Sequence, residues 1–202
     1  MALSTVTAIR EGRSELMLEI VKRELEKMYQ AREKAIKINR EIVPLCAQAI
    51  RDIQKDQYKR AEKNLQKIKR LVKKSEKILA RYPDVLVNVL SSAYQEYAEL
   101  SIFLSYLKTK KLPKIDVPPR FYILGLGDAI GELKRVGMEL LSQHKIKEAE
   151  RLREELEDLY FEFSKNTYPN SLVPGLKPKQ DAMRRVLNDF NNAILSHKLT
   201  RP

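Results

Sequence analysis

The run Tyr58-Lys59-Arg60-Ala61-Glu62-Lys63-Asn64-Leu65-Gln66-Lys67-Ile68-Lys69-Arg70-Leu71-Val72-Lys73-Lys74-Ser75-Glu76-Lys77-Ile78-Leu79 decides the fold. Its residues Ala61, Leu65, Ile68, Val72, Ser75 and Leu79 recur alternately four and three apart. On a helix of 3.6 residues per turn, that spacing gathers them into one stripe. Lys59, Lys63, Lys67, Arg70, Lys74 and Lys77 fall on the other face. The pattern predicts an amphipathic helix opening at Asp56, a suitable N-cap, and ending near Ala80.

The same period extends outward in both directions. A first helix is expected from about Ser4 to Gln54, with Leu18, Val21, Leu25, Met28 and Ala35 among its apolar positions. Pro44 should kink or break it near Ile42, because proline lacks the N–H and clashes with the preceding turn. Downstream, a mostly apolar helix is expected from Pro83 to about Leu107, then a basic, proline-rich connector to Arg120. Further helices are expected at about Pro119 to Ser142, Lys145 to Ser164, and Pro178 to His197. No segment alternates with a period of two between turn signals, so no strand is expected. The fold class that follows is all-α: one domain over residues 1–202, an antiparallel bundle of six to seven helices with a long first helix. Continued past Arg40, that helix outruns a compact domain, so part of it should pack on another subunit.

Composition bounds the chemistry. With 202 residues, 43% apolar and 33% charged, the chain can bury a sizeable core and is not disordered. A single cysteine, Cys46, excludes an intrachain disulfide and a thiolate metal site and reads as an apolar filler. No secretory leader and no 18-residue apolar run are visible, so a cytoplasmic location away from membranes is the default. The formal charge of +12 is uneven. Residues 1–80 carry 20 Lys and Arg against 11 Asp and Glu, whereas residues 81–107 carry one Arg against three acids. Such a basic excess favours a polyanionic partner through counterion release. A highly charged, solvated surface is the competing reading.

Within this basic chain stand two acidic pairs, Glu96/Glu99 and Asp128/Glu132. Spacings of three and four put each pair on one helical face. Paired acids on neighbouring helices can form an all-oxygen pocket for a hard divalent ion. Acids at helical spacing more often form a solvated face, but here they are flanked by Tyr94, Tyr97, Phe103, Leu124, Leu126 and Ile130. Carboxylates in such surroundings need a cation or hydrogen-bond donors. Gly125, Gly127 and Gly131 crowd the second pair, and each costs about 1 kcal/mol in a helix relative to alanine. Either a packed helix or a substrate backbone coming close would account for them. Neither His144 nor His197 follows a glutamate by three residues, so a ferritin-like di-metal site is excluded. No Ser–His–Asp, Cys–His or zinc-ligand pattern occurs.

The segment Leu90–Phe103, with its Gln95-Glu96-Tyr97-Ala98-Glu99 core, resembles the translin/Trax family. So does Tyr122–Arg135, which matches that family's pattern at Tyr122, Gly125, Asp128, Gly131, Glu132, Leu133 and Arg135. Lys37-Ile38-Asn39-Arg40-Glu41-Ile42 is similar to the family's first helix. The likeness is closer to Trax, the catalytic branch, because translin lacks this acid set and carries a basic, histidine-containing motif that is missing here. The resemblance implies a helical bundle assembling into a hollow octamer that binds short single- or double-stranded nucleic acid. It also implies a Mg²⁺- or Mn²⁺-dependent endoribonuclease of the C3PO type. Glu96, Glu99, Asp128 and Glu132 would be the metal-binding and catalytic acids, acting in a self-assembling prokaryotic or archaeal version. Phosphate contacts are expected from Lys37, Arg40 and Arg135, with added charge from Lys67, Arg70 and Lys74.

Overall fold

A computed structural model describes residues 2–83 and 87–199, with side-chain surroundings from residue 16 onward. Among these residues there are six helices and no strand. They are α1 (Ala2–Gln54), α2 (Tyr58–Leu79), α3 (Ser91–Thr109), α4 (Pro119–Ser142), α5 (Ile146–Ser164) and α6 (Leu176–Leu199). The bundle has two halves. α1, α2 and α3 pack together, as do α4, α5 and α6, and an extensive contact between α3 and α4 joins them. α3 is buried almost all round, as its near-continuous apolar sequence requires.

The α2 stripe is the buried face, with Ala61, Leu65, Ile68, Val72 and Ser75 all in the core. Burying Leu65, Ile68 and Val72 contributes roughly 5–9 kcal/mol before entropy is counted. Ser75 belongs there because its hydroxyl bonds the Val72 carbonyl at 2.7 Å and the Tyr94 hydroxyl at 3.0 Å. Tyr94 stacks in turn on Phe121 of α4, their ring centroids 5.8 Å apart. Cys46 is fully buried among apolar side chains, and burial pushes its thiol far above the usual range.

Several expectations are corrected. α1 continues through Pro44 without ending. Ile42 and Cys46, on either side of the proline, are both fully buried, and this packing outweighs the lost backbone hydrogen bond. Asp56 is not an N-cap: it turns left-handed at φ 57°, and Gln57 takes the cap position. The apolar α3 begins at Ser91 rather than Pro83, after a turn at Val87–Leu90, while residues 84–86 lie outside the described set. Its N-terminus is capped by another helix: Asn39 Oδ1 of α1 accepts from the Ala93 amide at 3.0 Å and the Ser92 hydroxyl at 2.9 Å. α6 opens at Leu176, two residues before Pro178.

The apolar positions early in α1 are not core. Leu16, Met17, Leu18, Ile20, Val21, Leu25 and Tyr29 are all exposed. At 1.5 Å per residue, the 53-residue helix is about 80 Å long, and its side chains from Leu16 to Lys27 are all exposed. No helix among the described residues is long and apolar enough to cross a membrane.

Candidate metal centre and basic surface

The acids lie on the α3–α4 seam because a glycine lets the helices meet there. A Cβ built on Gly125 would stand 2.7 Å from Ala98 Cβ, 2.8 Å from the Gln95 carbonyl oxygen and 2.9 Å from the Glu99 amide nitrogen. Any side chain at Gly125 would force the helices apart. With their backbones this close, Glu96 and Glu99 of α3 face Asp128 and Glu132 of α4.

Each α4 acid is held by a donor from another helix. Gln54 Nε2, at the end of α1, donates to Glu132 Oε2 at 2.6 Å. Gln95 Nε2 of α3 donates to Asp128 Oδ2 at 2.7 Å. The Lys179 ammonium, from the first turn of α6, donates to Asp128 Oδ1. Four helices therefore meet at the acids. Among the described residues, no three acidic, histidine or cysteine side chains already stand as a ligand set around one point. Protein donors engage the α4 carboxylates instead.

The electrostatics show that these donors do not balance the acids. Burial, then the Asp128, Glu96 and Glu132 carboxylates, push the Glu99 carboxyl up to about 8, with Lys179 opposing them. Burial and Asp128 raise Glu96 as well, again against Lys179. Four carboxylates with one ammonium between them leave surplus negative charge in a half-buried seam. In charge and donor type the cluster fits a hard divalent cation, which takes oxygen ligands and offsets such repulsion.

Lys37, Arg40, Lys67, Arg70, Lys74 and Arg135 are all exposed, and among the described residues none forms an ion pair. Arg135 follows Glu132 by less than one turn of α4. The others lie on α1 and α2. A basic groove of about 850 Å³ between α2, α3 and the connector was not foreseen. Lys59, Lys63 and Lys69 line one wall, and Lys108 and Lys114 the other, with Glu62 paired to Lys108. The lysines of the connector and the period of α2 were visible in the sequence, but their facing one another is a tertiary fact. Lys179, Gln54 and Gln95 were also missed, since nothing local marks a single lysine or glutamine as a partner of distant acids.

The six-helix arrangement is the all-helical fold of C3PO proteins. No family model matches the chain. An uncharacterised protein of Methanocaldococcus jannaschii is 36% identical over 170 residues, covering 82% of this chain and 75% of that protein. The structure of AfC3PO with duplex RNA superposes at a TM-score of 0.85 and 28% identity, covering 91% of this chain and 97% of that one. AfC3PO alone gives 0.85 and 29%, over 91% and 98%. The apo-NeC3PO structure, at 23% identity and a TM-score of 0.81, shares the fold over 89% and 96%. By its match to the AfC3PO structures, the chain belongs among the translin/Trax-like proteins.

Proposed function

We propose that this protein is a Trax-like, divalent-metal-dependent endoribonuclease that hydrolyses RNA phosphodiester bonds inside a homo-oligomeric shell. The observation that carries this reading is the α3–α4 seam, where four carboxylates crowd closely enough to hold Glu99 up to about 8. A Mg²⁺ or Mn²⁺ ion held there would supply Lewis acidity, lowering the pKa of water and offsetting the phosphate charge. Glu96, Glu99, Asp128 and Glu132 would hold the ion. Gln54 and Gln95 orient two of these carboxylates. Gly131, with nothing within 4 Å of a Cβ built on it, leaves room beside Glu132 for a sugar–phosphate backbone. Arg135 and the exposed bases of α1 and α2 bind phosphates, so the acids govern turnover and the bases govern affinity. AfC3PO, with which this chain shares its fold, has been solved bound to duplex RNA.

Assembly is supported by the cluster of exposed apolar side chains on α1, Leu16 to Tyr29, which a partner subunit would cover. Native mass spectrometry should find a mass of eight chains. A monomer at micromolar concentration would contradict the shell.

Purified protein incubated with labelled RNA should cleave it in Mg²⁺ and not in EDTA. One observation favours a second reading, a non-catalytic nucleic-acid-binding shell: the Lys179–Asp128 ion pair engages a carboxylate that the nuclease needs free. Bound but uncut RNA in Mg²⁺ and in Mn²⁺ would establish that reading instead. Parallel binding to single-stranded RNA, duplex RNA and single-stranded DNA defines the preferred strand.

The basic groove offers a separate check on affinity. Reversing Lys63, Lys69 and Lys114 to glutamate should weaken RNA binding at least tenfold at low salt. The log K against log salt slope should become shallower by about 0.7–0.9 for each phosphate that is no longer neutralised. An unchanged slope would mean that RNA does not run along this groove.

A further inference from the structure

We infer that Lys179 is the resident cation of the acid seam. Its ammonium holds Asp128 in the ion-free protein and gives that carboxylate up when a divalent ion binds. The inference rests on reading the four acids as an ion site, and assigns to that site a residue of α6.

The lysine has a built place. Its amide donates to the Gly175 carbonyl at 3.1 Å, which fixes its backbone at the start of α6. Its stem then crosses Gly127 of α4. A Cβ on Gly127 would lie 2.6 Å from Lys179 Cγ and 2.9 Å from Cδ, so the lysine fills the space that this glycine leaves open. The stem ends with the ammonium on Asp128 Oδ1, and the two side chains are only 22% and 25% exposed. Charge-assisted pairs sheltered from water to this degree are stronger than surface pairs.

Each Asp128 oxygen then carries one donor, Lys179 on Oδ1 and Gln95 on Oδ2. A divalent ion brought to the same carboxylate would stand a few ångströms from an ammonium. Like charges at that distance repel strongly in a half-buried site. The ion and the ammonium therefore compete for Asp128. Lysine suits such an exchange, because a point charge on a flexible four-carbon stem can swing aside without breaking a planar, two-pronged contact. Gln95 makes no charge claim on the carboxylate and can remain. Among the described residues, Lys179 is the one cation in ion-pair contact with any of the four acids, so its removal leaves them uncompensated until an ion arrives.

The test is calorimetric titration of the full-length protein with Mn²⁺, and thermal melting with and without it, for wild type, Lys179→Met and Gly127→Ala. The second variant keeps the lysine but displaces its stem, so it reports the same contact from the other helix. Lys179→Met should bind Mn²⁺ about tenfold more tightly and melt lower without the ion, and Mn²⁺ should restore the melting temperature. Gly127→Ala should shift the affinity in the same direction by a smaller factor. Unchanged or weaker Mn²⁺ affinity in the variants, with wild type binding normally, overturns the exchange and leaves the acid site standing. No Mn²⁺ binding by any of the three proteins removes the acid site itself and the exchange with it. Should Lys179→Met not fold, Gly127→Ala decides alone.

Discussion

Glu99→Gln should melt higher than the wild type at pH 8 in the absence of divalent ions, and should lose RNA cleavage at least a hundredfold. Both results come from the same crowding. Burial, then Asp128, Glu96 and Glu132, raise the Glu99 carboxyl to about 8, against an ordinary value of 4.5. Between those two values the folded chain holds a proton that the unfolded chain has released. Stability therefore falls as pH rises through the window from about 4.5 to about 8, and levels off above it. Glutamine is neutral and nearly the same shape, so it never incurs that loss. At about 1.36 kcal/mol per pKa unit, with allowance for local relaxation, the difference at pH 8 is on the order of 2–4 kcal/mol. In a chain of this length that corresponds to roughly 5–10 °C.

Cleavage should fall because the carboxylate that destabilises the ion-free protein is one that holds the ion. Glu132→Gln should lose cleavage to the same degree. In both variants RNA affinity should persist, since the exposed bases are untouched. A Glu99→Gln protein that melts at or below the wild type at pH 8 would show that Glu99 is not strained by its neighbours. One that still cuts RNA would remove the acids from the reaction.

The helical fold was legible because period alone carries it. The stripe from Ala61 to Ser75 is buried as spaced, and α4 occupies the expected Pro119–Ser142. Local rules failed where tertiary contacts overrode them. Pro44 lies within a helix whose neighbouring residues are fully buried, and the cap of α3 comes from Asn39, more than fifty residues earlier. Leu18, Val21 and Leu25 have the period of a core face but no face of this chain to meet. A monomer's pattern cannot distinguish a core from an interface. The acid pairs were legible as pairs, because helical spacing is local. Their convergence is not local, since it depends on Gly125 admitting the Glu99 backbone. The engagement of Asp128 by Lys179 joins residues on different helices, and no window of sequence contains both.

The three glycines around the second acid pair have different surroundings, α3 at Gly125, the Lys179 stem at Gly127 and open space at Gly131, and that separates their substitutions. Gly125→Ala should destabilise the protein by about 2–4 kcal/mol, despite the gain of up to about 1 kcal/mol that alanine brings to a helix. Two of the three atoms its Cβ would meet are the Gln95 carbonyl oxygen and the Glu99 amide nitrogen, which cannot rotate away. The helices must separate along the seam that carries all four acids, so cleavage should drop about a hundredfold even well below the melt. Gly131→Ala meets nothing within 4 Å and should melt about 2–4 °C higher than the wild type. If that open space receives the RNA backbone, the same variant should still bind or cut RNA less well, giving a stabler but poorer enzyme. A Gly131→Ala protein with full activity would place the substrate elsewhere. If Gly125→Ala proved no less stable than Gly131→Ala, the close approach of α3 and α4 could not be what brings the acids together.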